Sequence, residues 1–150
     1  MRQHLDVVTL GVPGLAVARR FYCDGLGWEP QQDLGEIVFF QVGHGRLLAL
    51  FGADALEGDI AGEGAAPPAG SALGAGMTLA QIVATEEEVV DVLERAAEAG
   101  GTVLKQPQLA DFGGFHGYFA DPAGFRWEVA TNPGWSVDDQ GHVAITPIEP

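Results

Sequence analysis

The sequence predicts an α+β protein built from two βαβββ modules. Three observations carry that prediction. One strand, one helix and three strands can be read twice, at a spacing of about half the chain. A run of small residues, GEGAAPPAGSALGAG, separates the two readings. The second reading closes on FHGYFADPAGFRWEVA, two alternating strands around a tight turn.

The first module covers about residues 5–52. LDVVTLGV at 5–12 is rich in Val, Leu and Thr and is stopped by Pro13, so it reads as a strand. Leu15, Ala18 and Phe21 or Tyr22 follow at helical spacing, with Pro13 suited to the first turn. Gly25 or Gly27 ends that helix. Trp28–Gln32, Glu36–Val42 and Arg46–Phe51 are the three strands, punctuated by Gly35 and Gly43-His44-Gly45. Residues 53–77 hold few core-forming side chains and read as a linker or mobile loop.

The second module covers about 78–132. Leu79–Val83 is a strand. Thr85 and Glu88 make a capping box, and Val89, Leu93 and Ala96 form one apolar helix face. Gly100-Gly101 ends the helix. Thr102–Gln106, Phe115–Ala120 and Phe125–Ala130 are the strands that follow. Asp121-Pro122-Ala123-Gly124 is the turn between the last two: Pro fixes its own φ and Gly takes a positive one. Residues 133–150 read as a C-terminal tail, polar and Pro-ended from Gln140 onward. The whole is expected to be one domain.

Composition narrows the function classes. Of 150 residues, 47% are hydrophobic and 19% charged, as in a folded chain. The formal charge is −14, with seven Lys and Arg together. That excludes a nucleic-acid partner, whose phosphates need clustered cations. It permits a cationic ligand. No apolar run reaches transmembrane length and no signal-peptide core precedes the first strand, so no membrane partner is expected. The single Cys23 cannot pair within the chain, which fits a reducing cytoplasm.

The residue that asks for chemistry is Glu128. In the last strand Phe125, Trp127 and Val129 alternate with Arg126, Glu128 and Ala130, so the carboxylate leaves the apolar face. A carboxylate in mid-strand must be solvated, paired, metal-bound or protonated. In the preceding strand His116 and Tyr118 alternate with Phe115 and Phe119, which puts them on the face expected for Glu128. Trp28 and Trp135 are candidates to wall an aromatic pocket or to pack at a rim. Cys23, near a helix end, is a poor thiolate. His44 and His142 have no motif around them, and His4 shares a face with Val7 only if its strand bulges.

Three stretches resemble the vicinal oxygen chelate superfamily: LGVPGLAVARRFYCDGLGW at 10–28, the helix end Ala99-Gly100-Gly101, and YFADPAGFRWEVATNPGW at 118–135. That group includes lactoylglutathione lyase, fosfomycin-resistance enzymes, extradiol dioxygenases and bleomycin-binding resistance proteins. The resemblance spans about 5–135. It implies paired modules forming a U-shaped mixed sheet around a concave pocket, in a homodimer. It also implies metal-ligand positions on equivalent strands, which here are Val7, Ala49, Thr78 and Glu128. Three of the four are not ligands, so no metal and no other cofactor is expected.

Two readings follow. One is a metal-independent binding protein for a small molecule, of the glyoxalase and bleomycin-resistance type, acting by drug sequestration or resistance. Its ligand-binding residues would be Glu128, His116, Tyr118, Val7, Ala49, Thr78, Trp28 and Trp135. The alternative is a glyoxalase-like lyase, isomerase or dioxygenase that uses Glu128 as its catalytic group, with or without a divalent metal. Fold analogy alone does not decide between them.

Overall fold

The computed structural model describes residues 5–61, 76–111 and 113–146. Two compact units emerge, one of Met1–Ala75 with Pro122–Gly124, the other of Gly76–Asp121 with Phe125–Pro150.

In the first unit β1 (Val7–Val12), β2 (Gln32–Asp33), β3 (Ile37–Gly43) and β4 (Arg46–Gly52) form one mixed sheet in the order β1-β4-β3-β2. The outer strand β1 runs parallel to β4; the other pairs are antiparallel. Helix α1 (Leu15–Arg19) continues into a π-helical turn, Arg20–Gly25, where one uniform helix was expected. There the Leu26 N–H reaches the Phe21 carbonyl and the Trp28 N–H reaches that of Tyr22. The wider turn sets Phe21 and Tyr22 edge to face, both wholly buried. Residues 27–30 carry no regular structure, and the predicted strand Trp28–Gln32 is replaced by the short β2, Gln32–Asp33. Pro30, without an N–H, cannot donate to the ladder.

The predicted linker is corrected at its start. Ala53–Ala61 form α2. Alanine is the best helix former, Asp54 suits the first turn, and Leu56 supplies a half-buried contact. Small-residue content suggested a loop, yet the same alanines favour a helix once an apolar side chain can dock. The rest of that expectation, 62–75, lies outside the described residues.

The second unit repeats the topology. β5 (Leu79–Ile82), β6 (Thr102–Leu109), β7 (Phe115–Ala120) and β8 (Arg126–Thr131) are ordered β5-β8-β7-β6, with β5 parallel to β8. Helix α3 spans Glu86–Glu98. The Thr85 hydroxyl accepts from the Glu88 N–H at 3.2 Å, and Glu88 accepts from the Ala84 N–H at 2.8 Å. Val89, Leu93 and Ala96 are buried on one α3 face, together with Phe119, Trp127 and Val129 from the sheet. The β7–β8 turn is closed by the Asp121 carboxylate, which accepts from the Phe125 N–H at 2.9 Å, and Gly124 sits at φ 91°.

The expected tail is also corrected. β9 (Trp135–Val137) and β10 (Val143–Ile145) pair as an antiparallel hairpin. Its turn is organised by Asp138, whose Oδ1 accepts from the Gln140 and His142 N–H groups at 2.9 Å and whose Oδ2 meets His142 Nδ1 at 3.0 Å. A carboxylate tying its own turn is the local signal that reading the stretch as polar overlooked.

Candidate functional site

Strand alternation assembles the site within the second unit. On β8 the burial pattern puts Trp127 and Val129 inside and leaves Glu128 half-buried. Tyr118 pairs with Glu128, and His116 pairs with Ala130 two residues along. All three polar side chains therefore leave the same face of the sheet. Glu128 Oε1 accepts from the Tyr118 hydroxyl at 2.8 Å and lies 2.9 Å from His116 Nδ1. The His116 and Tyr118 rings meet edge to face at 5.4 Å.

A fourth group completes the cluster. Lys105 Nζ lies 2.7 Å from His116 Nε2 and 5.9 Å from the centre of the Tyr118 ring. An ammonium has donors only, so Nε2 is the accepting nitrogen and Nδ1 carries the hydrogen toward Glu128. The four groups form one ordered chain, Lys105 to His116 to Glu128, with Tyr118 as second donor on the same carboxylate oxygen. Among the described residues no hydrogen bond reaches Oε2. The Tyr118 phenol is pushed up by burial first, then by its hydrogen bond to Glu128 and the charge there.

Lys105 was missed by sequence reasoning. Plain alternation from Val103, which pairs with Phe119 on the α3 side, would send Lys105 toward the helix. Two register shifts intervene, between Val103 and Lys105 and between Lys105 and Gln108. The first brings Lys105 opposite Tyr118; the second admits Pro107 and brings Gln108 opposite His116. Bulges re-aim side chains in this way. The available signal was Pro107 itself, which cannot donate to a ladder and marks an edge strand or a bulge.

The other residues expected at the site are placed as follows. Thr78 is exposed immediately before β5, two residues ahead of Ala80, the strand partner of Glu128. Trp135 stands in the terminal hairpin opposite Ile145. In the first unit Val7 is exposed on β1, and Ala49 is fully buried between Thr9 and Phe39. Trp28 packs into that unit's aromatic cluster, 5.2 Å from Tyr22 and 5.5 Å from Phe40. In the first unit the sheet face opposite the buried Leu48 and Leu50 carries Ala49, paired with Phe39, and Ile37. The first copy is thus apolar where the second is polar. His44 lies in a turn, and His4 lies outside the described residues.

A model of the Glyoxalase/Bleomycin resistance protein/Dioxygenase superfamily matches residues 4–129. The chain belongs to that superfamily. Among solved structures, a glyoxalase-related enzyme from Fulvimarina pelagi is 37% identical, with a TM-score of 0.81 over 97% of this chain and 99% of that one. Lactoylglutathione lyase from Agrobacterium tumefaciens is 24% identical, with a TM-score of 0.62 over 87% of this chain and 94% of that one. Hypothetical protein SA1046 from S. aureus is 21% identical, with a TM-score of 0.67 over 87% and 94%. The last two likenesses show the fold alone. No curated protein matches the chain.

The divalent metal implied by the superfamily resemblance does not fit the residues present. Val7 and Ala49 offer no donor atom, and a Thr78 hydroxyl is a weak one. Among the described residues no three His, Cys, Asp or Glu side chains come together as a metal site requires. His116 Nε2, the nitrogen a metal would take, faces an ammonium. No chemical step here runs through a metal. Among the described residues, no helix is long and apolar enough to cross a membrane.

Proposed function

We propose that this chain is a metal-independent binding protein for a small organic molecule, acting by sequestration. The observation that carries the reading is the division of labour within one carboxylate. Oε1 of Glu128 is held by His116 and Tyr118, while Oε2 is left to accept from a ligand. Fixing one oxygen removes the rotational freedom that a binding event would otherwise have to quench, which favours affinity. The sequence alone suggested a cationic ligand. Lys105 already supplies the carboxylate with a counter-charge through His116, so the better fit is an uncharged hydroxyl or amide donor. The same reading includes a cytoplasmic homodimer, since each small sheet ends in edge strands that a second copy can cover.

The test is native mass spectrometry against a library of polar small molecules, using wild type and Glu128→Gln. Retention of a compound by wild type and its loss in the variant supports the reading. Equal retention by both removes Glu128 from the binding site.

A further inference from the structure

Lys105 is the only lysine in the chain. Its amine lies 2.7 Å from His116 Nε2, and His116 Nδ1 lies 2.9 Å from Glu128 Oε1. A nucleophile, a base that touches it and a carboxylate that orients the base form the arrangement that activates a weak nucleophile elsewhere in protein chemistry. We propose that Lys105 is a carbonyl-condensing amine, which captures a small α-hydroxyaldehyde as an imine. This goes beyond reversible binding, though it uses the cluster on which that reading rests.

His116 Nε2 takes one proton from the Lys105 ammonium, leaving a neutral amine and an imidazolium whose Nδ1–H remains on Glu128. The amine nitrogen adds to the aldehyde carbon, and a proton passes from nitrogen to oxygen to give the carbinolamine. The imidazolium returns its proton to the carbinolamine hydroxyl, which leaves as water. Lys105 is then a protonated imine and His116 is neutral, with one positive charge before and after. A hydroxyl on the carbon next to the carbonyl would donate to Glu128 Oε2, whereas an α-keto acid would bring its carboxylate against that oxygen. Hence the aldehyde class. The lysine stands there by construction, because the register shift between Val103 and Lys105 turns it away from the α3 side.

Glycolaldehyde with cyanoborohydride is the test. Reduction of the imine fixes the adduct and adds the mass of the aldehyde less one oxygen, which peptide mass spectrometry assigns to a residue. N-α-acetyl-lysine in the same solution is the reference amine. Labelling of Lys105 about 10-fold or more faster than the reference is expected, with loss of at least ~10² of that rate in His116→Gln, on the scale of general base catalysis. Glu128→Gln is expected to slow it about 10-fold, and it keeps the test open if the histidine variant fails to fold. Lys105→Arg should carry no adduct at that position. Labelling no faster than the reference overturns the proposal, as does fast labelling unchanged in folded His116→Gln and Glu128→Gln. Either result leaves retention of a non-carbonyl ligand, read without reductant, to be judged separately.

Discussion

Gly117 lies so close under Leu93 that a β-carbon on it would stand 2.5 Å from Leu93 Cδ2 and 3.0 Å from the Lys105 carbonyl oxygen. The missing side chain lets α3 settle onto β7 and lets the bulged β6 backbone pass beside it. Gly117→Ala is therefore expected to destabilise the fold by about 1–3 kcal/mol, the usual cost of overpacking. Urea unfolding measures this. An unchanged midpoint would mean that α3 moves away freely.

Tyr118 yields an alkaline prediction. Its phenol is held above the usual range near 10, chiefly by burial and then by Glu128. A raised folded pKa contributes stability that is fully present below the unfolded value and is lost as pH rises through the folded one. Absorbance titration, with Tyr118→Phe subtracted, should place its midpoint above that of a free tyrosine, and Glu128→Gln should lower it. A midpoint indifferent to Glu128→Gln would separate the two residues.

Glu128→Gln keeps an oxygen for His116 and Tyr118 and removes the charge. Any ligand that donates to Oε2 should weaken by roughly 1–3 kcal/mol, the scale of a charge-assisted hydrogen bond. Calorimetric titration of a compound found by native mass spectrometry reads this directly. A lowered melting temperature with unchanged affinity would make Glu128 a structural residue.

Protein purified without chelator should hold no stoichiometric divalent metal, and a chelator should leave its melting temperature unchanged. The reason is the donor set, one carboxylate with an occupied oxygen and one imidazole facing Lys105. One zinc, manganese, iron or nickel per chain by elemental analysis would refute this.

Asp138 gives an acid prediction. The His142 N–H, and next the His142 ring, hold its carboxyl below the usual range. A depressed folded pKa contributes stability above the unfolded value, about 4 for aspartate, and loses it as pH falls through the folded one. The Val143 and Ile145 amide resonances should move with pH below about 4, and Asp138→Ala should fix them near their acid positions. Resonances of wild type that stay constant through that range would show that the turn does not depend on this carboxylate.

Much of this was legible in the chain itself. The capping box of Thr85 and Glu88, the Asp121–Gly124 turn and the alternation around Glu128 are local, and local rules found them. Alternation also put His116 and Tyr118 on the face of Glu128. What escaped were places where the period breaks. The helix turns π-helical after Arg19, and the register shift between Val103 and Lys105 carried the lysine to the other face of the sheet. A one-residue slip reverses every side chain beyond it, and single-residue insertions leave almost no compositional trace. Residues 53–61 failed for the opposite reason, since alanine is common to flexible loops and to good helices.

The bonds of the cluster are short-range along the chain. His116 and Glu128 are 12 residues apart, Lys105 and His116 are 11, and Tyr118 and Glu128 are 10. The parallel pair that completes the same sheet joins Leu79 to Trp127, a separation of 127 − 79, or 48 residues. Closing that loop costs about 1.2 kcal/mol more entropy than a 12-residue one, two doublings at about 0.6 each. The β6–β7–β8 meander is the cheaper structure to form first. Loop-closure entropy alone thus favours bringing the polar groups together ahead of the β5 pairing.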